Sequence, residues 1–174
     1  MKIIVILNFA RSGGTILAQL LNTFDGAWVL SEINPQAGAT PANDAVKPEL
    51  AIAQQAADWY GVRLKKGGFL ESISDLANTA ESQGKVLVIR DWSYQNFRKT
   101  KQNNYQPSYQ LELLEGLRNK FDLQIFAFVR DGIDVFLSVG GNVRQFGRDY
   151  SAYVQSLIAE GVEILKYEEL VSRP

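Results

Sequence analysis

The residues best suited to chemistry lie near the start of the chain, between an apolar run and a helical pattern. The donors and glycines of this segment are Arg11, Ser12, Gly13, Gly14 and Thr15. First-turn amides of a helix lack intrahelical partners, and the helix dipole favours negative charge beside them. Adjacent glycines let the backbone approach an anion closely, and the arginine and hydroxyl groups add hydrogen-bond donors. The segment predicts a phosphate-type site, whereas the alternative is a plain strand-to-helix turn carrying a surface arginine.

This segment differs from a Walker A motif at two positions. That motif begins with a glycine and ends in Gly-Lys-Ser/Thr. Here Asn8 stands at the position of the first glycine, and Gly14 stands at the position of the lysine. An ordinary ATPase or kinase is therefore disfavoured, and an atypical P-loop nucleotide kinase is the less favoured enzyme hypothesis.

The elements that must position this segment follow from hydrophobic patterning. Buried strands are predicted at 2–7, 27–30, 85–91, 122–129 and 162–167. Helices are predicted at 14–23, 48–60, 69–83, 108–120, 132–139, 145–160 and 168–171. Near-continuous apolar runs indicate strands buried on both faces, and strands that alternate with helices predict an α/β fold. We expect a three-layer parallel sheet with helices on both faces, in one domain spanning residues 1–174.

Composition excludes several classes of site. The 174 residues include no Cys and no His, which removes thiolate nucleophiles, disulfides and the commonest general base and metal ligand. The net charge of −1 gives no electrostatic case for binding nucleic acid or an anionic membrane. The N-terminal apolar run is too short to span a membrane. We therefore expect a soluble cytoplasmic protein without a membrane span.

Charged residues follow three of the predicted strands at what should be one edge of the sheet. Beyond the first loop, these are the pair Arg90 and Asp91, and the pair Arg130 and Asp131 with Ser138 further along. Ligands of open α/β sheets bind at the carboxyl ends of the strands. Two arginine-bearing ends beside a phosphate-type loop predict a ligand with two separated anionic groups. The alternative for either arginine is a structural ion pair with a neighbouring carboxylate.

Three segments of the chain resemble motifs of the sulfotransferase family, in the family's order. Residues 9–17 (FARSGGTIL) resemble its 5′-phosphosulfate loop, roughly R-S-G-T-T-L-L. Residues 128–138 (FVRDGIDVFLS) resemble its 3′-phosphate motif, roughly V-R-D-P-x-D-x-x-x-S. Residues 166–174 (KYEELVSRP) are similar to the family's Y-E-D-L-V-x-x-P segment. The ordered set spans nearly the whole chain and is more specific than any one segment.

The resemblance implies a P-loop-like fold that binds 3′-phosphoadenosine 5′-phosphosulfate (PAPS) as co-substrate, without a metal. The residues that would hold the 5′-phosphosulfate are Arg11, Ser12, Gly13, Gly14 and Thr15. Arg130 and Ser138 would hold the 3′-phosphate. The implied reaction is in-line transfer of the sulfuryl group to a hydroxyl or amine acceptor. Arg11 would stabilise the charge that develops on the leaving phosphate.

The resemblance also implies a general base. Cytosolic relatives use a histidine, which this chain lacks, whereas some bacterial and Golgi branches use a glutamate shortly after the first helix. Glu32 matches that placement, although it could also be an exposed loop carboxylate; Asp91 is the reserve candidate. The chain departs from the family at Gly14 (usually Thr) and Gly132 (usually Pro). Relatives usually continue with more helix, so the usual C-terminal segment is expected to be missing.

The sequence does not fix the acceptor. We expect a small molecule, a sugar or a lipid, bound by the loops at 33–47 and 92–107. The main alternative function is a non-catalytic nucleotide-binding module of the same fold, suggested by the absence of histidine and the early end of the chain.

Overall fold

A computed structural model describes residues 1–35, 47–98 and 106–172 of this chain. The strands are β1 (Lys2–Asn8), β2 (Ala27–Ile33), β3 (Val86–Asp91), β4 (Asp122–Val129) and β5 (Glu163–Lys166). The helices are α1 (Gly14–Leu21), α2 (Pro48–Tyr60), α3 (Phe69–Ser82), α4 (Tyr94–Phe97), α5 (Glu112–Arg118), α6 (Gly132–Val139), α7 (Val143–Ala159) and α8 (Tyr167–Ser172).

The five strands form one parallel sheet in the order β2-β3-β1-β4-β5. The predicted α/β fold with a parallel sheet is therefore confirmed. The central strand is β1, whose Val5 pairs with Ile89 of β3 on one side and Ile125 of β4 on the other. Because all strands are parallel, their carboxyl ends lie along one edge of the sheet, where ligands of open α/β sheets bind.

Helices cover the two faces of the sheet unequally. Alternate residues of β1 such as Ile3 and Val5 belong to the large core, which includes side chains of α2, α3, α5 and α7. Ile6, on the opposite face, packs in a smaller cluster with Ala18 of α1. This alternation follows from the two-residue period of a strand. Helix α1, which follows the loop after β1, therefore packs on the face of the sheet with the smaller cluster.

The structure departs from the predicted elements in three places. The predicted loop at 92–107 contains the short helix α4, and the helix predicted to begin at residue 108 begins at Glu112. Strand β2 continues to Ile33 through an irregularity between Leu30 and Ile33. The central parts of the two predicted acceptor loops, 36–46 and 99–105, lie outside the described residues.

Helix α7, the longest in the structure's described part, has seventeen residues. Among the described helices, none is long and apolar enough to cross a lipid bilayer.

Candidate functional site

A cavity of about 550 Å³ opens at the carboxyl edge of the sheet. Its lining comes from residues at or just after the ends of the five strands and from helices α1, α6 and α8. The lining residues are Asn8, Ala10, Arg11, Gly13, Gly14, Thr15, Ile16, Glu32, Arg90, Trp92, Arg130, Ser138 and Tyr167. A volume of this size is typical of small-molecule sites. Residues from the three segments singled out in the sequence therefore line one cavity.

The loop between β1 and α1 turns sharply at two residues with positive φ. Arg11 has φ 64° and Gly13 has φ 86°, in the left-handed region that side chains with a Cβ adopt at a cost. A Cβ at Gly13 would lie 2.7 Å from the ring carbon Cδ2 of Tyr167, closer than real Cβ contacts. Gly13 is therefore required both by its backbone conformation and by the ring packed against it.

Gly14 is required for a different reason, which explains the departure from the family motif at this position. A Cβ there would lie 2.5 Å from Nδ2 of Asn8. The Asn8 side chain is buried, and its Nδ2 donates to the carbonyl oxygen of Phe9 over 3.1 Å. The asparagine at the start of the loop thus occupies the volume that a side chain at its end would need. The two departures from the Walker A pattern are therefore linked: the larger residue at position 8 goes with the absence of a side chain at position 14. We call this link the exchange of volume.

The first turn of α1 presents backbone donors to the cavity. Gly13 precedes the helix, and none of the described side chains caps the helix at this end. The amides of the first turn consequently remain open to an anion. Thr15 is exposed on this turn and lines the cavity, whereas Ser12 is fully buried and does not line it. The predicted contribution of the Ser12 hydroxyl to a phosphate site thus has no support in this geometry.

Arg11 is exposed and lines the cavity without an ion pair to any described carboxylate. Arg130 lines the same cavity but is partnered. Its Nη2 lies 3.1 Å from Oδ2 of Asp134, and its guanidinium carbon lies 5.0 Å from the centre of the Tyr167 ring. The predicted alternative for Arg130, an ion pair with a neighbouring carboxylate, is therefore present, and the partner is Asp134. Because this pair is partly exposed, it competes only weakly with an anionic ligand.

The segment that follows β5 joins the other two segments. The Tyr167 ring packs against Gly13 and lies beside Arg130, and it makes an edge contact with Phe128. The next residue, Glu168, accepts a hydrogen bond from the backbone N–H of Asp131 over 2.8 Å. The three segments that resemble family motifs thus contact one another, although they are far apart in sequence.

A further arginine from β3 holds the candidate base. Arg90 is only 5% exposed, and its Nη2 lies 2.9 Å from Oε1 of Glu32, which is half exposed. The same guanidinium donates to the Ser31 hydroxyl from Nε over 3.1 Å and from Nη2 over 2.6 Å. Glu32 has φ 58°, an uncommon value for a residue other than glycine. A structural ion pair was the predicted alternative role for Arg90, and the pair with Glu32 is present.

The reserve base, Asp91, is buried and lies outside the cavity lining. It is 2% exposed and does not line the cavity, and the Ser93 hydroxyl donates to its Oδ2 over 2.6 Å. Burial raises the pKa of Asp91 from 3.8 to about 7, and the nearby Glu112 adds to the rise while the Ser93 hydrogen bond opposes it. Burial, together with the charge of Asp91, also raises the pKa of the fully buried Tyr153. Asp91 has an unusual proton affinity but no open path to a substrate in the cavity.

Sequence reasoning gave four cavity residues no role, or a role other than the one their contacts indicate. Asn8 was noted only as a departure from Walker A, and Arg90 was predicted as an arginine-bearing strand end for an anionic ligand, not as the partner of Glu32. Trp92 and Tyr167 were given no role in the nucleotide site. A usable signal existed for Arg90 and Trp92, because both lie at the carboxyl end of a buried strand. No sequence signal reports the contact of Asn8 with Gly14, because strand and helix geometry must first bring them together.

Comparison with protein-family models finds no model that matches the chain, and comparison with curated proteins finds no match. Among residues 1–35, 47–98 and 106–172, no three acidic side chains converge as a set of metal ligands. Function is therefore inferred from the cavity itself.

Proposed function

We propose that this chain is a PAPS-dependent sulfotransferase with a P-loop-like nucleotide site. The observation that supports it is that Arg11 and Arg130 line one cavity, beside the open N-terminus of α1. One phosphate would need only the loop and the helix amides. A second arginine at the end of β4 suits a nucleotide with a separate anionic group, as the 3′-phosphate of PAPS provides.

Two sets of groups that line the cavity suit the two anionic ends of this nucleotide. Arg11, Thr15 and the first-turn amides of α1 would hold the 5′-phosphosulfate, with Gly13 and Gly14 allowing its close approach. Arg130 and Ser138 would hold the 3′-phosphate. Arginine and backbone amides can neutralise both groups, so the site as proposed needs no metal.

The proposed reaction is an in-line displacement at sulfur. An acceptor oxygen or nitrogen forms a bond to sulfur while the bond from sulfur to the 5′-phosphate oxygen breaks, and the electron pair of that bond leaves with the phosphate. Arg11 and the helix amides stabilise the charge that develops on this phosphate. The acceptor proton passes to the carboxylate of Glu32, which lines the cavity and is half exposed. Asp91 is sealed beneath and is not given this role.

Nucleotide binding tests the proposal directly. Thermal unfolding is followed with 3′-phosphoadenosine 5′-phosphate (PAP) without magnesium, and with ATP plus magnesium. A ligand that binds only the folded state raises the midpoint of thermal unfolding. At a ligand concentration of about a hundred times Kd, it adds about 2.7 kcal/mol to the free energy of unfolding. PAP is expected to stabilise more than ATP with magnesium. Equal or stronger stabilisation by ATP would favour a nucleotide kinase, and no stabilisation by millimolar PAP would contradict the proposal.

Replacing Glu32 tests the chemical step. PAPS turnover is measured with the parent chain and with Glu32→Gln, a change that keeps the side-chain shape but removes the base. Turnover is expected to fall roughly 100-fold or more, while PAP affinity stays within about threefold. Unchanged turnover would exclude Glu32 as the base. A parent chain that binds PAP but never turns over PAPS would instead be a nucleotide-binding module.

A further inference from the structure

Strand β2 is irregular where it reaches the cavity. The register with β3 shifts between Leu30 and Ile33, so Ser31 and Glu32 fall outside the regular pairing. In a regular strand, neighbouring side chains point to opposite faces of the sheet. With Glu32 in the left-handed region at φ 58°, the side chains of both residues instead contact the same guanidinium, that of Arg90. The irregularity thus brings two adjacent side chains to one partner.

Three hydrogen bonds hold the side chain of Arg90 against Ser31 and Glu32. It is 5% exposed, and its Nε and Nη2 donate to Ser31 Oγ while Nη2 also donates to Glu32 Oε1. The fork of an arginine can make these contacts together, which a single ammonium cannot match. Oε2 of Glu32 has no described hydrogen-bond partner, so one carboxylate oxygen is anchored and the other is available in the cavity.

Helix α2 supports the same segment from the other side. Gln55 donates from Nε2 to the carbonyl oxygen of Ser31 over 2.9 Å, and its Oε1 accepts from the Ser31 N–H over 2.8 Å. These two bonds satisfy the backbone groups of Ser31. A series of contacts therefore leads from Gln55 through Ser31 to Arg90 and Glu32.

Resting on the proposed function, we infer that Arg90 is the positioning residue of this site, holding Glu32 in its left-handed conformation with one carboxylate oxygen turned to the acceptor. A residue other than glycine keeps such a conformation only when its surroundings enforce it. Arg90 enforces it from a neighbouring strand, with Ser31 and Gln55 as supports. The nucleotide is held by other residues of the cavity, so the role of Arg90 is separable from binding.

Three variants and one control test this role. Arg90→Lys keeps the charge but not the fork. Ser31→Ala is a milder change, because it removes only the hydroxyl that accepts from Arg90. It serves as the test variant if Arg90→Lys does not fold. Glu32→Gln combined with Arg90→Lys tests whether the two residues act as a unit. The matched control is Arg118→Lys, because Arg118 pairs with Glu160 on the surface, at the opposite edge of the sheet and outside the cavity.

The first measurement is independent of turnover. Crystal structures of Arg90→Lys and Ser31→Ala are compared with one of the parent chain. Glu32 is expected to leave the left-handed region, with its carboxylate displaced from the cavity, in Arg90→Lys and to a smaller extent in Ser31→Ala. Glu32 retaining its φ and its carboxylate position in Arg90→Lys would overturn the inference.

The second measurement separates positioning from binding. PAPS hydrolysis, with water as the acceptor, is followed by release of PAP, and PAP affinity is measured by thermal shift. Arg90→Lys is expected to lower kcat about 10- to 100-fold, because small displacements of a catalytic group cost that much, with PAP affinity unchanged within about threefold. When Arg90→Lys is combined with Glu32→Gln, kcat should fall no further than with Glu32→Gln alone, because the carboxylate that Arg90 positions is already gone. A loss of PAP affinity equal to the loss of kcat would overturn the inference by making Arg90 a nucleotide ligand.

The control separates the two levels of the proposal. Arg118→Lys should leave the Glu32 conformation, PAP affinity and turnover unchanged. Failure of the parent chain to bind PAP would count against the sulfotransferase, while the crystal comparison would still decide whether Arg90 positions Glu32.

Discussion

Two layers of polar groups lie at the carboxyl edge of the sheet, and they differ in their access to a ligand. The upper layer lines the cavity and includes Arg11, Arg130 and Glu32. The lower layer, Asp91 and Ser93, is buried beside the α4 and α7 helices. Strand β3 contributes to both, since Arg90 lines the cavity and its neighbour Asp91 does not. Adjacent residues of one strand thus belong to different environments, and a charge at a strand end is by itself no evidence of contact with a ligand.

The comparison separates two kinds of effect. Changes at Arg11 or Arg130 should alter ligand binding with little effect on stability, because these two groups are partly solvated. Changes in the lower layer should alter stability and its pH dependence without altering ligand affinity, because these groups are buried.

The largest effect is expected for Asp91→Asn in the lower layer. The pKa of Asp91 is about 7 in the folded chain and ordinarily 3.8. The stability that comes from its protonated form is complete below pH 3.8 and is lost as the pH rises through about 7. Above that, the buried charge costs up to roughly 4 kcal/mol. Asp91→Asn should therefore stabilise the fold near neutral and alkaline pH and flatten its pH dependence, measured by urea unfolding across this range.

The control for that experiment is Ser93→Ala, which removes the hydroxyl that donates to Asp91 and leaves the carboxylate in place. Because that hydrogen bond opposes the rise in the pKa of Asp91, Ser93→Ala should keep the pH dependence of the parent chain or make it steeper. A pH dependence in Asp91→Asn as steep as that of the parent chain would contradict the prediction.

In the upper layer, Arg11→Ala should weaken PAP binding about 10- to 100-fold, because charge-assisted hydrogen bonds to a phosphate contribute about 1.5–3 kcal/mol. The thermal midpoint without ligand should change little, since Arg11 has no described ion-pair partner to lose. Isothermal titration with PAP measures the affinity. Arg63→Ala, which removes an exposed arginine outside the cavity, serves as the control. A similar loss in both variants would show that binding reflects overall charge.

Gly14→Ala tests the boundary between the two layers, because Gly14 is buried and also lines the cavity. Its new Cβ would meet the Asn8 side chain at 2.5 Å, so we expect a loss of about 1–3 kcal/mol in stability together with weaker PAP binding. Asn8→Gly in the same chain should recover much of the stability. Gly116→Ala is the control, because a Cβ there meets nothing within 4 Å. Purely additive effects of Asn8→Gly and Gly14→Ala would contradict the proposed exchange of volume.

The smallest effect is expected for Asp134→Asn. The pair of Asp134 with Arg130 is partly exposed, and such pairs contribute about 0–1 kcal/mol to stability. Losing the negative charge should tighten PAP binding by less than about fivefold, because less repulsion then opposes the phosphate. The change should diminish at high salt. Weaker binding in Asp134→Asn would instead show that Asp134 holds Arg130 in its binding position.

Much of the framework could be predicted from the sequence because its signals are local. The apolar runs of β1, β3 and β4 and the glycines between β1 and α1 report buried strands and a tight turn without tertiary information. The end of β4 could be located because Arg130 follows its buried run directly. Such signals are enough to place a residue at the end of a strand and therefore at one edge of the sheet. Arg11, Arg130 and Glu32 could be predicted to lie near one another for this reason, and all three line the cavity.

What could not be predicted depends on contacts between distant residues. The left-handed conformation of Glu32 requires Arg90 from another strand. Ser12 has a residue type that suits a phosphate site, but its complete burial depends on how the loop packs and could not be read from the sequence. Helix α4 is only four residues long and carries no periodic pattern that could reveal it. In each case the deciding partner is far away or the element is too short to have a pattern.

The Tyr167 ring packs against Gly13 and beside Arg130, although the segments that carry them are far apart in sequence. The proposed anion site is therefore complete only once β5 and the segment after it have joined the sheet. Under the proposed function, nucleotide binding is a late step of folding. PAP should accordingly slow the unfolding of the folded chain without accelerating the early steps of its refolding.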